Sequence, residues 1–210
     1  MKNLKSGTTT VGIKCNDGIV LAADKRATTF YVAHKDIEKI MPITKNIAVT
    51  VAGDVSEIQY IIRLAKAELK LKSLRKGGDV SIKEAVNLFG NIVYYNIRKY
   101  SPFPGFAGFI LGGYNEEEGS MLYEVEGAGS VLEYKDYSVT GSGSVFALGV
   151  LDSQYKKDLT VLEGIELAKK SLSASLQRDL FTGDGVDIYT ITKEGVKKAF
   201  TQKIEIKLSI

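Results

Sequence analysis

Residues 7–24 read GTTTVGIKCNDGIVLAAD, and this stretch predicts a β-hairpin. The segments from Thr9 to Lys14 and from Ile19 to Ala23 are apolar or alternate in polarity, as strands do. Between them stands Asn16-Asp17-Gly18, a sequence that favours a tight hairpin turn. The beginning of the chain is therefore predicted to be β structure.

Gly7 and Thr8 form a candidate self-cleavage site. A threonine hydroxyl is a poor nucleophile, but cleavage between these residues would give Thr8 a free α-amine. An α-amine has a pKa of about 7.7–8.0 and can act as general base for the hydroxyl. Gly7 has no Cβ, which leaves its carbonyl open to attack. By themselves, residues 7–10 are also compatible with an ordinary turn that leads into a strand.

The rest of the chain alternates strand patterns with paired helix patterns. From Asp54 to the glycines at 77–78 the apolar spacing is helical, and Ser81 and Glu84 form a capping-box pattern that opens a helix to about Tyr100. Two more helices are predicted at 144–154 and 160–178. Strands are predicted at 47–52, 106–113, 121–125, 131–140, 186–192 and 196–200. The pattern predicts an α+β fold, a four-layer αββα sandwich of two mainly antiparallel sheets with a helix pair on each outer face.

Composition excludes several classes of protein. The chain has 210 residues, enough for one domain, and a net charge of +3, too small to indicate nucleic-acid or membrane binding. Residues 1–7 lack the apolar core of a secretory signal. The single cysteine, Cys15, excludes an intramolecular disulfide and suits a reducing cytoplasm. Because His34 is the one histidine, neither a His-rich metal site nor a metal cofactor is expected.

Four polar residues stand near predicted element ends, at positions where a core-forming sequence has no obvious need for them. Asp24 ends the second strand, Lys39 precedes the strand at 47–52, Ser142 lies in a Gly-Ser-Gly turn, and Asp179 follows the last long helix. Each taken singly has an ordinary structural explanation as a cap, a turn or a surface charge.

In its ordered set of motifs the chain resembles the β subunits of archaeal proteasomes, a family of N-terminal nucleophile threonine proteases. The resemblance runs from Gly7 to the last strands. It rests on residues 7–12 (GTTTVG), 22–26 (AADKR), Lys39, 51–54 (VAGD), 137–144 (YSVTGSGS), 151–155 (LDSQY), 177–179 (QRD) and 183–185 (GDG).

The resemblance implies a role for each group around Thr8. Thr8 Oγ would be the nucleophile and the Thr8 amine its base. Lys39 would lower the pKa of that amine, because a nearby positive charge disfavours a second one. Asp24 would pair with Lys39.

Further residues would complete the site. Ser142 and Asp179 would orient the amine, and the backbone N–H of Gly53 would stabilise the oxyanion. Threonine stands at position 182, where the family usually has serine. It keeps the hydroxyl and adds a methyl group, so the hydrogen bond is expected to survive with a tighter fit.

The family's processing and specificity are also expected of this chain. Residues 1–7 would be a propeptide removed by autocleavage at Gly7-Thr8, and residues 8–210 a single catalytic domain. By resemblance, the pocket for the residue before the cut would be lined by Ala27, Ile37, Met41, Val51 and Val55. Because these side chains are apolar, cleavage is expected to favour hydrophobic residues.

The expected function is therefore an endopeptidase for unfolded proteins inside the proteasome core particle. The expected partners are α subunits and other β subunits in stacked seven-membered rings, together with a regulatory ATPase ring. Two alternatives stay open: a non-catalytic β-type ring subunit, and a free N-terminal nucleophile amidase. A silent subunit would be expected to have lost Thr8, Lys39 or Asp24, and an amidase would need a deep polar pocket of its own.

Overall fold

A computed structural model describes residues 7–28, 31–102 and 105–205 of the chain. Its elements, in chain order, are β1 (Thr9–Lys14), β2 (Ile19–Asp24), β3 (Ala27–Thr28), β4 (Val32–His34), β5 (Ile40–Pro42), β6 (Ile47–Gly53), α1 (Val55–Lys76), α2 (Ile82–Arg98), β7 (Ala107–Asn115), β8 (Gly119–Val125), β9 (Val131–Tyr134), β10 (Tyr137–Gly141), α3 (Ser144–Gln154), α4 (Val161–Arg178), β11 (Gly185–Thr192) and β12 (Gly195–Lys203).

The strands form two five-stranded sheets that face each other. The first has the order β10-β1-β2-β11-β12 and the second the order β5-β6-β7-β8-β9, and every pairing in both is antiparallel. A short third sheet pairs β3 with β4. The predicted α+β four-layer sandwich is thus confirmed, with α3 and α4 against the first sheet and α1 and α2 against the second.

Side-chain alternation in the inner strands builds the three apolar layers. In β2, Val20 and Ala22 join the cluster under α3 and α4, whereas Ile19 and Leu21 join the cluster between the sheets. Ile110 of β7 packs in that same central cluster, while its neighbours on the strand face α1 and α2. Both faces of these strands are buried, which explains their nearly continuous apolar sequence.

The helix ends follow the signals in the sequence. The capping boxes at Ser81 and Thr160 both form, each side chain accepting from the backbone N–H three residues later. Gly77 ends α1 in the left-handed conformation. The second helix ends at Arg98, two residues before the predicted end, because Lys99 is already extended. No helix among the described residues is long and apolar enough to cross a bilayer.

The structure differs from the predicted local structure at three points. The strand structure predicted at 131–140 is divided into two strands in different sheets, β9 and β10, because the chain turns at Asp136, whose carbonyl accepts from Lys14 N of the first sheet at 2.7 Å. The short strands β3, β4 and β5 were not predicted, since two or three residues carry no periodicity. As a result Lys39 precedes β5 and not the strand at 47–52.

Candidate active site

The ends of strands that are far apart in sequence lie together at one edge of the sandwich. The antiparallel register places Thr9 opposite Gly141, Thr10 opposite Ala23, and Asp24 opposite Val186. The start of β1 therefore lies beside the ends of β2 and β10 and near the start of β11. This geometry brings Thr8, Asp24 and Ser142 together although they are separated by up to 134 residues.

The hydroxyl of Thr8 lies between a carboxylate and an amine. Thr8 Oγ1 donates to Asp24 Oδ1 at 2.9 Å, and Lys39 Nζ donates to the same carboxylate oxygen at 2.6 Å. Lys39 Nζ also contacts Thr8 Oγ1 directly. All three residues are buried, with exposed fractions of 1% for Thr8 and Asp24 and 4% for Lys39. The three side chains form one buried polar group at the edge of the sheet.

Asp24 is oriented by backbone donors as well. Its Oδ1 accepts from Thr9 N at 3.0 Å, and its Oδ2 accepts from Arg26 N at 3.1 Å and from Gly183 N at 3.0 Å. These N–H groups come from β1, from the segment after β2 and from the loop before β11. Because three segments hold the carboxylate, its position against Thr8 and Lys39 is well determined.

Burial sets the electrostatics of Lys39. Removal from water lowers the pKa of its amine, and the adjacent Asp24 carboxylate opposes this shift only in part. Val51 N donates to the Lys39 carbonyl at 3.0 Å, which attaches this residue to β6. A buried amine with a lowered pKa, in contact with a hydroxyl, has the properties of a proton acceptor.

A second polar group lies against the backbone nitrogen of Thr8. Thr8 N donates to Ser142 Oγ at 3.2 Å, and Ser142 Oγ donates to Asp179 Oδ2 at 2.6 Å. Thr182 Oγ1 donates to the same oxygen at 2.5 Å. Asp179 is the residue that ends α4, so the helix end places its carboxylate over the beginning of β1.

Gly53 and Gly141 allow the backbone to come close at this edge. Both have positive φ angles, 127° and 101°. A Cβ on Gly141 would lie 2.1 Å from the carbonyl oxygen of Thr8, and one on Gly53 would lie 2.1 Å from that of Phe106. Only glycine fits at these two positions.

A cavity of about 820 Å³ opens beside the group. Its wall includes Gly7, Gly53, Ser142 and Phe181, together with three acidic residues, Asp54, Glu124 and Glu126. The cavity adjoins the Gly7-Thr8 peptide bond and is large enough to hold several residues of a peptide.

The five residues expected to line the specificity pocket lie elsewhere. Ala27 and Val51 are buried, Ile37 and Met41 are half-buried, and Val55 at the start of α1 is 48% exposed. None of the five lines the cavity beside Gly7. Met41 packs against the cluster under α1 and α2 to which Val51 belongs.

The structure adds three residues to those that the sequence singled out. Thr9 contacts both polar groups, through its amide N–H to Asp24 and its hydroxyl to Thr182. Arg26 Nε pairs with Asp184 Oδ2 at 2.8 Å, and Gly183 N donates to Asp24. All three stand in motifs quoted above, but the contacts of Thr9 with Thr182, of Arg26 with Asp184 and of Gly183 with Asp24 connect residues more than 150 positions apart and leave no local signal.

Among residues 7–28, 31–102 and 105–205, no group of three or more His, Cys, Asp or Glu side chains could hold a metal ion. The donors around Thr8 are instead hydroxyl, carboxylate, amine and backbone N–H groups.

Comparison with known proteins gives one consistent result. The sequence model of the family described as "Proteasome subunit" matches residues 4–191. A proteasome subunit beta of Methanocaldococcus fervens is 42% identical over 204 residues, which cover 97% of this chain and 89% of that protein. Proteasome subunit beta of Nanoarchaeum equitans is 40% identical, with 93% and 98% covered, and proteasome subunit beta 2 of Pyrococcus furiosus is 41% identical, with 94% and 93% covered.

Proposed function

The chain belongs to the proteasome subunit family, and from this we propose that it is a catalytic β subunit with Thr8 as its N-terminal nucleophile. Membership implies a protease subunit that assembles into the proteasome core particle. The observation that carries the catalytic proposal is the position of Thr8 Oγ1, between Lys39 Nζ and Asp24 Oδ1. A subunit that only shaped the chamber would have no need for this buried arrangement, which is costly to desolvate.

The first reaction in the proposal is self-cleavage. Before it, Thr8 has no free amine, so another group must accept the hydroxyl proton, and Lys39 Nζ is in contact with that oxygen. Thr8 Oγ attacks the Gly7 carbonyl carbon, the C–N bond breaks, and the acyl group moves from nitrogen to oxygen. Water then hydrolyses the ester and releases residues 1–7, which leaves 8–210 as the catalytic domain.

The second reaction is hydrolysis of peptide bonds in other chains. Thr8 Oγ attacks the substrate carbonyl carbon while the amine of Thr8, with Lys39 beside it, accepts the hydroxyl proton, and the Gly53 N–H stabilises the oxyanion. The peptide C–N bond then breaks, the leaving amine takes that proton, and water hydrolyses the ester on Thr8 to release the second product and restore the hydroxyl. Asp24 keeps Lys39 in place, while Ser142, Asp179 and Thr182 hold the amine.

Substrate choice follows from the same proposal. Ala27, Ile37, Met41, Val51 and Val55 would receive a hydrophobic residue before the cut. Apolar pockets discriminate by only about 1–3 kcal/mol per methylene, so a preference and no strict rule is expected. Unfolded proteins, delivered by a regulatory ATPase to seven-membered rings in the cytoplasm, would be the substrates.

The decisive experiment measures the intact mass of the chain after co-expression with its α partner. The wild type should lose residues 1–7, whereas Thr8→Ala should keep them, because no hydroxyl is left to attack Gly7. Thr10→Val is the matched control. The hydroxyl of Thr10 contacts Thr140 and lies outside the group around Thr8, so this variant should be processed like the wild type.

The outcomes separate the candidate functions. A full-length wild-type chain inside a complete particle would contradict the catalytic proposal and identify a silent ring subunit. A processed chain that never forms a particle of hundreds of kilodaltons would instead favour a free amidase. Cleaved wild type in a particle, with threonine-dependent hydrolysis of a peptide substrate, would establish the proposal.

A further inference from the structure

We propose that Thr9 is a positioning residue that connects the Thr8–Asp24–Lys39 group to the Ser142–Asp179–Thr182 group. The inference rests on the proposed function and deepens it, since it concerns how the nucleophile is held. Thr9 follows the nucleophile and carries out no bond-breaking step itself. Its contribution is to fix the partners of Thr8 on both sides.

The backbone of Thr9 supplies the first connection. Thr9 N donates to Asp24 Oδ1 at 3.0 Å, the same oxygen that accepts from Thr8 Oγ1 and Lys39 Nζ. Thr9 is fully buried, with an exposed fraction of 0%. Any shift of β1 at this residue therefore changes the distance between the nucleophile and its carboxylate.

The side chain of Thr9 supplies the second connection. Thr9 Oγ1 lies 2.7 Å from Thr182 Oγ1, and Thr182 is itself only 1% exposed. The direction of this hydrogen bond follows from its surroundings. A carboxylate only accepts, so Thr182 must use its one proton to donate to Asp179, and its oxygen must accept the proton of Thr9.

Ser142 is oriented by the same carboxylate. Its proton goes to Asp179 Oδ2 at 2.6 Å, since a charge-assisted bond is stronger than the 3.3 Å contact with the Thr8 carbonyl. The oxygen of Ser142 is then free to accept from the nitrogen of Thr8. The result is a directed series of hydrogen bonds, in which Thr9 donates to Thr182 and Thr182 donates to Asp179. The oxygen of Ser142 is oriented to accept from the amine of Thr8.

The Thr9 hydroxyl lies against the backbone of Gly143, in space that only a glycine at that position leaves open. A Cβ on Gly143 would lie 2.1 Å from Thr9 Oγ1 and 3.1 Å from Thr182 Oγ1. The carbonyl of Gly143 accepts from Ser175 Oγ at 2.9 Å, which joins the start of α3 to the end of α4 above Thr9. The hydroxyl is enclosed, so its loss would leave Thr182 without its donor.

Through Thr182 and Asp179, the Thr9 hydroxyl is expected to influence the pKa of the Thr8 amine. Hydrogen bonds in series strengthen one another, so Thr9 makes Thr182 a better donor to Asp179. Without the Thr9 hydroxyl, the charge of Asp179 is less compensated and favours the protonated amine of Thr8. The pKa of that amine then rises, and the acidic limb of the activity profile moves to higher pH.

The test compares Thr9→Val, Thr9→Ser and Thr182→Val in the assembled core particle, using a fluorogenic peptide. Thr9→Val, which keeps the shape and removes the hydroxyl, should lower kcat about tenfold with KM within about twofold. Its acidic limb should lie at higher pH than that of the wild type. Thr9→Ser should have the kcat and the acidic limb of the wild type, because serine keeps the hydroxyl that donates to Thr182.

A double-mutant cycle measures whether the losses in kcat at Thr9 and Thr182 are coupled, which a merely structural role of Thr9 would not predict. If Thr9 acts through Thr182, the Thr9→Val/Thr182→Val double variant should be no slower than Thr182→Val alone. Additive losses in kcat would overturn the inference, as would a Thr9→Val particle with wild-type kcat and pH profile. An inactive wild-type particle would instead contradict the proposed function.

Two provisions keep the test informative. Each variant is also produced with methionine directly before Thr8, so that removal of the initiator methionine exposes Thr8 without self-cleavage. If Thr9→Val does not assemble, Thr9→Ala, which also lacks the hydroxyl but cannot crowd Gly143, is used in the same cycle. Equal activity of Thr9→Ala and Thr9→Ser would then contradict the role of the hydroxyl.

Discussion

At the scale of single residues, the state of Lys39 controls what Thr8 can do. Its amine contacts Thr8 Oγ1 and pairs with Asp24, yet burial lowers its pKa because the low-dielectric surroundings disfavour the charge. The protonated amine can only donate, whereas the neutral amine can accept the proton of Thr8. The proposed self-cleavage therefore depends on the fraction of Lys39 that is neutral.

The rate of self-cleavage should increase with pH. Below the pKa of Lys39 the amine is charged and inactive as a base, and above it the amine is neutral, so the rate rises through that pKa. Since burial lowers the pKa, the midpoint should lie below the value of about 10.4 for a free lysine. Precursor mixed with α subunit at a series of pH values and analysed by intact mass gives the profile. Lys39→Arg should abolish cleavage at every pH, and a pH-independent wild type would contradict the role of Lys39.

Gly53→Ala should lower peptidase activity by about a hundredfold or more. The residue has a φ of 127°, and a Cβ would lie 2.1 Å from the Phe106 carbonyl oxygen, so the backbone must move and carry its N–H away from the oxyanion. Loss of one such donor costs about 10²–10³ in kcat. Gly78→Ala is the matched control, because a Cβ there meets no atom within 4 Å. Steady-state kinetics on assembled particles would show the difference, and equal kcat for the two variants would refute the assigned role.

At the scale of elements, three consecutive side chains at and just after the end of β2 bind to β11 and to the loop before it. Asp24 accepts from Gly183 N, Lys25 pairs with Asp187 at 2.8 Å, and Arg26 pairs with Asp184. Burial opposes the charge of Lys25, but hydrogen bonds to Asp187 and Asp36 outweigh it and raise the pKa of the lysine. Lys25 is therefore charged and depends on its partners.

Asp187→Asn should destabilise the subunit by about 3 kcal/mol, because it leaves the buried charge of Lys25 with Asp36 as its remaining partner. In a chain of this size that corresponds to roughly 6–12 °C in Tm. Glu194→Gln, which breaks the exposed pair with Lys197, is the control and should leave Tm nearly unchanged. Thermal unfolding of both variants tests the comparison, and similar Tm values would show that the buried pair contributes little.

At the scale of the whole molecule, the outer helices present large apolar side chains to solvent. Val145 and Phe146 on α3 are 66% and 36% exposed, and Leu162 on α4 is 76% exposed. Val145 and Phe146 are consecutive at the start of α3, so they offer apolar area that a neighbouring subunit could cover. Assembly into the core particle, which family membership implies, would bury such groups.

Val145→Asp should therefore reduce the yield of complete particles, because a buried charge would replace apolar contact. Ser153→Asp adds a carboxylate to an exposed position on the same helix without removing an apolar group, and it should assemble like the wild type. Size-exclusion chromatography after co-expression with the α subunit measures the yield. Normal particles from Val145→Asp would show that this part of α3 stays exposed in the assembly.

Much of the fold and several site residues could be predicted from the chain alone. The capping boxes at Ser81 and Thr160, the hairpin turn at 16–18 and the apolar face of α1 are local signals, and each was found where predicted. Motif order pointed to Thr8, Asp24, Lys39, Ser142 and Asp179, and the structure brings all five to one edge of the sandwich.

The sequence by itself thus determined the layers and most helix boundaries, because these depend on spacing and on neighbours along the chain. The resemblance in motif order identified five polar residues near Thr8 or including it. Only the tertiary structure decided that residues 131–140 divide between two sheets and that Lys39 precedes β5. It alone revealed that Thr9 joins the two polar groups. The pairing of β10 with β1 and the contact of Thr9 with Thr182 join residues more than a hundred positions apart, and no local pattern in the sequence records contacts of that range. The strand β5 is too short to show a periodicity.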